Sequence, residues 1–254
     1  MVKRAILGWL ARRGIRVITR NDPRFHRVPK NVEPEFLSVF DVCSPFTMTS
    51  FECQYGLWRA ARYVVRGGVK GDFVECGVYR GGSVMTAAMT FEQCGDRTRS
   101  LYLYDTFEGM PEPEARDVDF AGRTPHEHLR TWSVRRISDM ANSPIEEVRR
   151  NVLSTGVAPE RCVFVTGKVE DTIPGTVPPG PIAILRLDTD WHASTLHEMI
   201  HLFPRLARGG VLIVDDYGMW RGARDAVDEY FAREGITMLL NRLDAMGAVI
   251  GIKR

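Results

Sequence analysis

The chain has 254 residues, of which 44% are hydrophobic and 26% charged, and a formal net charge of +2. Those values describe an ordinary soluble globular protein, large enough to bury a core without staples, and they exclude low-complexity and fibrous classes. No stretch approaches the roughly 18 apolar residues of a membrane span.

In chain order, the first thirty positions carry Lys3, Arg4, Arg12, Arg13, Arg16, Arg20, Arg24, Arg27 and Lys30 against Asp22 alone, which leaves the remainder net acidic. The short apolar run 5–10 is cut by Arg12 and Arg13 before it reaches the length of a secretory core. Residues 1–48, punctuated by Pro23, Pro29, Pro34 and Pro45, are therefore expected to be a basic arm and an irregular lead-in with at most short helices and no stable membrane insertion. Cysteines 43, 53, 76, 94 and 162 form no C-x-x-C pair, so neither a disulfide framework nor a zinc knuckle is expected, and a reducing cytoplasm is the simplest setting.

Thr49 stands three before Glu52, a capping box for a helix that Gly67-Gly68 ends. Asp72-Phe73-Val74-Glu75-Cys76-Gly77 then reads as a strand closing on an acid and a glycine turn, and the turn residues Tyr79, Arg80, Gly81, Gly82 and Ser83 open a helix. Glycines there let backbone approach a ligand at the carboxyl end of a parallel strand. The spacing is not the G-x-G-x-x-G of a pyrophosphate cradle. Ser100 to Asp105 is a second strand ending in an acid, placed to accept hydrogen bonds from ribose hydroxyls of a nucleotide-like ligand. Residues 106–142 show few signals and are expected to form a lid.

Ser143-Pro144-Ile145-Glu146 starts a helix to about Ser154. Cys162 to Val165 is a third strand, followed by Lys168, a candidate for the adenine edge. Ile182 to Leu187 reads as a strand buried on both faces, apolar but for Arg186, and it ends in Asp188-Thr189-Asp190-Trp191-His192. A helix from Ser194 to Ala207, a strand 211–214 ending in Asp215-Asp216, a helix 221–234 and two short strands near 236–241 and 246–252 complete the chain. Alternating strands and helices with a terminal hairpin give an α/β fold, a mostly parallel sheet with an antiparallel edge.

Two neighbouring strands would bring Asp188, Asp190, Asp215 and Asp216 to one edge. Four like charges there require protonation or a cation, and an oxygen-only donor set favours a hard ion such as Mg²⁺. His197-Glu198-Met199-Ile200-His201 matches H-E-x-x-H, but the helix also carries the apolar stripe Leu196, Met199, Ile200, Phe203 and Leu206, and no third ligand follows at metzincin spacing. These histidines are expected beside a core-facing stripe, not on zinc.

The runs 71–82, Tyr104-Asp105-Thr106-Phe107-Glu108-Gly109, Leu185-Arg186-Leu187-Asp188-Thr189-Asp190 and Val214-Asp215-Asp216-Tyr217 resemble the macrocin O-methyltransferase (TylF-type) family, from about residue 45 to the C-terminus. The resemblance implies a Rossmann-like class I methyltransferase with a seven-stranded sheet over residues 49–254. It implies an S-adenosylmethionine site built from Glu75, Gly77 and Asp105, flanked by Tyr79, Arg80, Gly81, Ser83 and Lys168. It implies Mg²⁺ held by Asp188, Asp215 and Asp216, with Asp190 as general base. Because Trp191-His192 departs from the usual pattern, His192 stands beside Asp190 as an alternative base. Family members methylate sugar hydroxyls of natural products, so a glycoside acceptor and a homo-oligomer are expected, with no nucleic-acid partner, since the acidic body shows no basic patch interleaved with aromatics. A catechol-type O-methyltransferase and a non-catalytic scaffold acting through the basic arm are the competing expectations.

Overall fold

The computed structural model describes residues 31–132 and 134–254. The basic arm expected over 1–30 lies outside the described residues. Helix α1 (Pro34–Cys43) and helix α2 (Phe51–Arg66) precede strand β1 (Asp72–Cys76), helix α3 (Gly82–Gln93) and strand β2 (Leu101–Asp105). Helices α4 (Pro125–Trp132) and α5 (Ile145–Leu153) lead to β3 (Cys162–Thr166), the single turn α6 (Val169–Thr172) and β4 (Ile182–Leu187). Helix α7 (His192–His201), β5 (Leu206–Val214), α8 (Arg221–Arg233), β6 (Asn241–Arg242) and β7 (Val249–Ile252) follow.

The seven strands form one sheet in the order β3-β2-β1-β4-β5-β7-β6. The first five run parallel, and β7 pairs antiparallel with both β5 and β6. The strand order reverses between β1 and β4, and the carboxyl ends of these strands open the crevice where doubly wound sheets bind ligands.

All six residues of β4 are buried, as a central strand covered on both faces requires. On one face Val74, Tyr104, Leu185, Leu187, Leu212 and Val214 pack with Met199 and Phe203 and with Val227, Tyr230 and Phe231 of α8. Side chains alternate along a strand, so Phe73, Glu75, Ile184 and Arg186 point to the other face, toward α2 and α3.

Several boundaries differ from the sequence expectation. Residues 34–43, expected as irregular lead-in, are a ten-residue helix burying Phe36, Val39, Phe40 and Cys43. Pro34 sits at its start, where a missing N–H costs nothing, and the i, i+3, i+4, i+7 spacing supplies the buried stripe. Phe36 and Phe40 pack edge-on against Phe51. The cap of α2 is Ser50, not Thr49: its hydroxyl accepts from Cys53 N at 3.1 Å, and Thr49 is drawn off to Gln54 Nε2 at 2.6 Å. Helix α7 stops at His201, and β5 begins at Leu206, with Gly209 and Gly210 inside the strand where its register against β4 shifts. Among the described residues the lid stretch holds helix α4 and a 3-10 turn at Ile137–Asp139, and it pairs with Trp220 through a bridge at Asp119.

The turn after β1 is the tightest point of the sheet edge. Gly77 has φ +82°, and a Cβ there would lie 1.9 Å from the carbonyl oxygen of Asp188. Gly77→Ala is therefore expected to destabilise the chain by about 3 kcal/mol, from backbone strain and a clash with main chain that cannot yield. A thermal unfolding scan would show this as a lowered Tm; an unchanged Tm would mean the turn relaxes.

Candidate active site

A cavity of about 660 Å³ lies over the carboxyl ends of β1, β2, β4 and β5. Of the residues singled out from the sequence, Gly77, Tyr79, Ser83, Asp105, Lys168, Asp188, Asp190, Asp215 and Asp216 all line it. Glu75, Arg80, Gly81 and His192 do not.

Asp105 is more than a free acid at a strand end. Its Oδ2 accepts from the amides of Val78 (2.6 Å) and Tyr79 (3.1 Å), and its Oδ1 accepts from Phe107 N (2.8 Å). The carboxylate thus ties the end of β2 to the glycine turn. Its Oδ2 is thereby filled, and Oδ1 keeps one lone pair for a ligand hydroxyl. Burial pushes its pKa up, and the three amides pull it back.

Arg80 turns outward: its Nε donates to Glu147 Oε1 at 2.7 Å and its Nη1 to the Pro45 carbonyl at 3.1 Å. It clamps α5 to the glycine turn and is corrected here from a cofactor contact to a brace. Gly81 supplies a left-handed turn, φ +90°, at the start of α3. Glu75 is fully buried beneath the floor of the cavity and reaches the site only through Arg186.

Arg186 is the residue that sequence reading passed over. It is 3% exposed, and register places it directly beside Glu75. Its Nη1 donates to Glu75 Oε1 and to Asp188 Oδ2, and its Nη2 to Asp215 Oδ1, each at 2.6 Å. The signal was present: it is the sole charge in the apolar run 182–187.

Among the described residues, Asp188, Asp215 and Asp216 bring one carboxylate oxygen each to within 4.8 Å of one another. Arg186 uses one oxygen of Asp188 and one of Asp215 and does not bond Asp216, so oxygens remain on all three. An all-carboxylate donor set with free oxygens fits a hard divalent cation.

Asp190 sits beside that trio with φ +66°, a left-handed conformation that non-glycine residues adopt under constraint. Its amide donates to Asp216 Oδ2 at 3.2 Å, and its Oδ1 accepts from the indole of Trp220 at 2.8 Å. Trp220 is buried edge-on against Trp191 and His128. Its backbone pairs with Asp119, whose Oδ2 lies 2.9 Å from His128 Nε2. Trp191 Nε1 donates to the Pro111 carbonyl, and His192 N to Asp117 Oδ1, both at 2.9 Å. The stretch 111–128 is thereby stitched to the residues that flank Asp190. No sequence signal marked Trp220, because its partner lies thirty positions away.

His192 is corrected as a candidate base. Its ring lies between the Glu229 carboxylate (3.2 Å) and the Arg116 guanidinium (3.1 Å), on the α8 side and off the cavity wall. At the first position of α7 its side chain follows the helix face packed on α8, and the turn at Asp190 separates the two. The H-E-x-x-H residues behave as expected of a core-side stripe. His197 Nε2 is 2.8 Å from the Ile173 carbonyl, and the buried Glu198 accepts from Thr189 Oγ1 at 3.0 Å.

The remaining wall is rich in methionine, with Met48, Met110, Met140, Met219 and Met246 around Val134 and Pro111, and it also carries Thr47, Thr49, Asp139, Asn142 and Glu170. The cavity therefore has a polar end at Gly77, Ser83 and Asp105, an acid cluster in the middle, and a pliable methionine-rich rim.

Residues 43–250 match the family model described as Macrocin-O-methyltransferase (TylF). The chain is 36% identical over 203 residues, 79% of its length and 73% of the relative's, to 8-demethyl-8-(2,3-dimethoxy-alpha-L-rhamnosyl)-tetracenomycin-C 4'-O-methyltransferase of Streptomyces olivaceus. It is 35% identical over 201 residues, again 79% and 73% of the two chains, to demethyldecarbamoylnovobiocin O-methyltransferase of Streptomyces niveus. Its fold overlays the solved structure of the O-methyltransferase NovP with a TM-score of 0.70 at 30% identity, covering 82% of each chain.

The acid cluster sets a pH dependence. Burial pushes Glu75 up to about 8 against the pull of Arg186, and burial first, then neighbouring carboxylates, push Asp190 and Asp216 up. An acid whose folded pKa exceeds its unfolded value near 4 contributes stability that is full below that value and lost as pH rises through the folded one. In EDTA the Tm is expected to be higher at about pH 6 than at about pH 8.5, by a few degrees. A Tm that rises over that interval would contradict the assignment of buried acids with raised proton affinity.

Proposed function

The chain belongs to the macrocin-O-methyltransferase (TylF) family, and from that premise we propose that it methylates a sugar hydroxyl of a glycosylated natural product, with a divalent cation, Mg²⁺, in the acid cluster. The observation that carries this reading is the single cavity in which the glycine turn and Asp105 face the same space as Asp188, Asp190, Asp215 and Asp216. The relatives' names support the acceptor class: one is named for a rhamnosyl-tetracenomycin, the other for a novobiocin precursor.

S-adenosylmethionine supplies an electrophilic methyl group on a positive sulfur, so the protein's work is positioning and proton removal. Asp105 keeps one lone pair, on Oδ1, for a ribose hydroxyl, and Gly77 admits the donor close to main chain. Tyr79, Ser83 and Lys168 complete the wall of that end. Asp188, Asp215 and Asp216 would hold the cation, which when bound lowers the pKa of an alcohol near it.

Asp190 takes the hydroxyl proton. An ordinary carboxylate is a poor base for an alcohol, so the transfer calls for a hydroxyl whose own pKa is lowered. Trp220 holds Oδ1, which fixes the direction of the carboxylate. The methionine rim offers an adaptable surface to an apolar aglycone without dictating its shape.

Asp190→Asn is expected to lower turnover by about a hundredfold or more while S-adenosylmethionine affinity stays within about twofold. The assay pairs labelled donor with the acceptors of the two named relatives and with extracts containing glycosides, and calorimetry reads donor binding. Equal loss of binding and turnover would make Asp190 structural. Turnover undiminished in EDTA would remove the cation from the reading.

A further inference from the structure

We propose that Arg186 is a resident counter-ion that assembles the donor half of the site, so that S-adenosylmethionine binds without any divalent cation and only the acceptor half calls for one. This rests on the reading of the acid cluster as a cation site.

Three strands meet at this one side chain. Glu75 belongs to β1 and Arg186 to β4, Asp188 comes just past the end of β4, and Asp215 just past the end of β5. The guanidinium bonds all three carboxylates at 2.6 Å and is buried to 3% exposure. A planar fork with five N–H groups can do this; a single ammonium on a flexible stem cannot match the same geometry. Without it, Glu75, which is fully buried, would face Asp188 and Asp215 on the cavity floor with no positive charge between them.

The donor turn is built directly on this knot. Asp188 N donates to the Cys76 carbonyl at 2.9 Å, and Gly77 leaves no room for a Cβ against the Asp188 carbonyl. The same turn presents Val78 and Tyr79 amides to Asp105. Arg186 thus fixes Glu75 and Asp188 on either side of the glycine that must stay in place for the donor. Its bonds take Asp188 Oδ2 and Asp215 Oδ1 and leave Asp188 Oδ1, Asp215 Oδ2 and both oxygens of Asp216 without an arginine partner. Each of the three acids thus keeps an oxygen that arginine does not occupy.

The test titrates S-adenosylmethionine into the full-length wild type, Arg186→Gln and Arg186→Lys by calorimetry, in EDTA and in excess MgCl₂. Binding of Mn²⁺ alone is followed by electron paramagnetic resonance. The wild-type donor Kd is expected to differ by less than about threefold between the two buffers. Arg186→Gln is expected to bind donor at least about tenfold more weakly in EDTA and to recover part of the loss in Mg²⁺, with Arg186→Lys in between. A wild type that loses about tenfold in EDTA, or an Arg186→Gln protein that binds as the wild type does there, overturns the proposal. If Arg186→Gln does not fold, the wild-type pair and Arg186→Lys decide: Arg186→Lys binding equal to wild type in EDTA also overturns it. Absence of Mn²⁺ binding to the wild type would sink the cation reading, while the EDTA titrations would still judge Arg186.

Discussion

Parallel strands that end together on the same edge deliver whatever follows them to one place, and here five of the delivered groups are acids. Glu75, Asp188, Asp190, Asp215 and Asp216 come from three neighbouring strands and the turns that leave them. Isolated carboxylates cannot be buried at such density, because loss of hydration penalises each charge and every neighbour adds to the penalty. The ion-pair knot around Arg186 is what makes the arrangement tolerable. It joins β1 to the residues that close β4 and β5 at the point where the sheet opens into the cavity, and it holds Asp188 and Asp215 of the acid cluster.

Backbone strain gathers in the same region. Among the described residues, four non-glycine positions have left-handed φ, namely Tyr79, Phe107, Ala141 and Asp190, and three of them line the cavity. Phe107 follows Asp105 by two and donates its amide to that carboxylate. Such conformations persist only where surrounding contacts over-determine them, and here hydrogen bonds to Asp105 and Asp216 do so. Preorganisation of this kind suits a reaction in which the protein aligns two groups and removes a proton.

Much of this was legible in the residues. Apolar runs of strand length closing on acids gave the parallel sheet and the convergence of its ends, because period and punctuation are local properties. The glycine turn could be read because only glycine tolerates both the φ and the contact at position 77. What could not be read depended on direction and on distant partners. Arg80 and Asp105 sit in equally good motif positions, but Glu147 draws the first outward while three amides fix the second at the wall. His192 stands two residues from Asp190, and the left-handed turn between strand and helix sends the two side chains to different neighbours. Helix α1 was hidden by flanking prolines that read as breakers, though one of them starts the helix. Arg186 looked like an exception within a buried strand, and exceptions of that kind are where function sits.

One linkage ties the roof to the chemistry. The stretch from Pro111 to His128 is bonded to Trp191, to the amide of His192 and to Trp220, and Trp220 in turn holds the Asp190 carboxylate. Roof and Asp190 are consequently one mechanical piece. Met110, Met140 and Met219 pack on the same cluster of Trp191 and Trp220, so a change of shape at the mouth is passed inward to the indole that steadies the carboxylate.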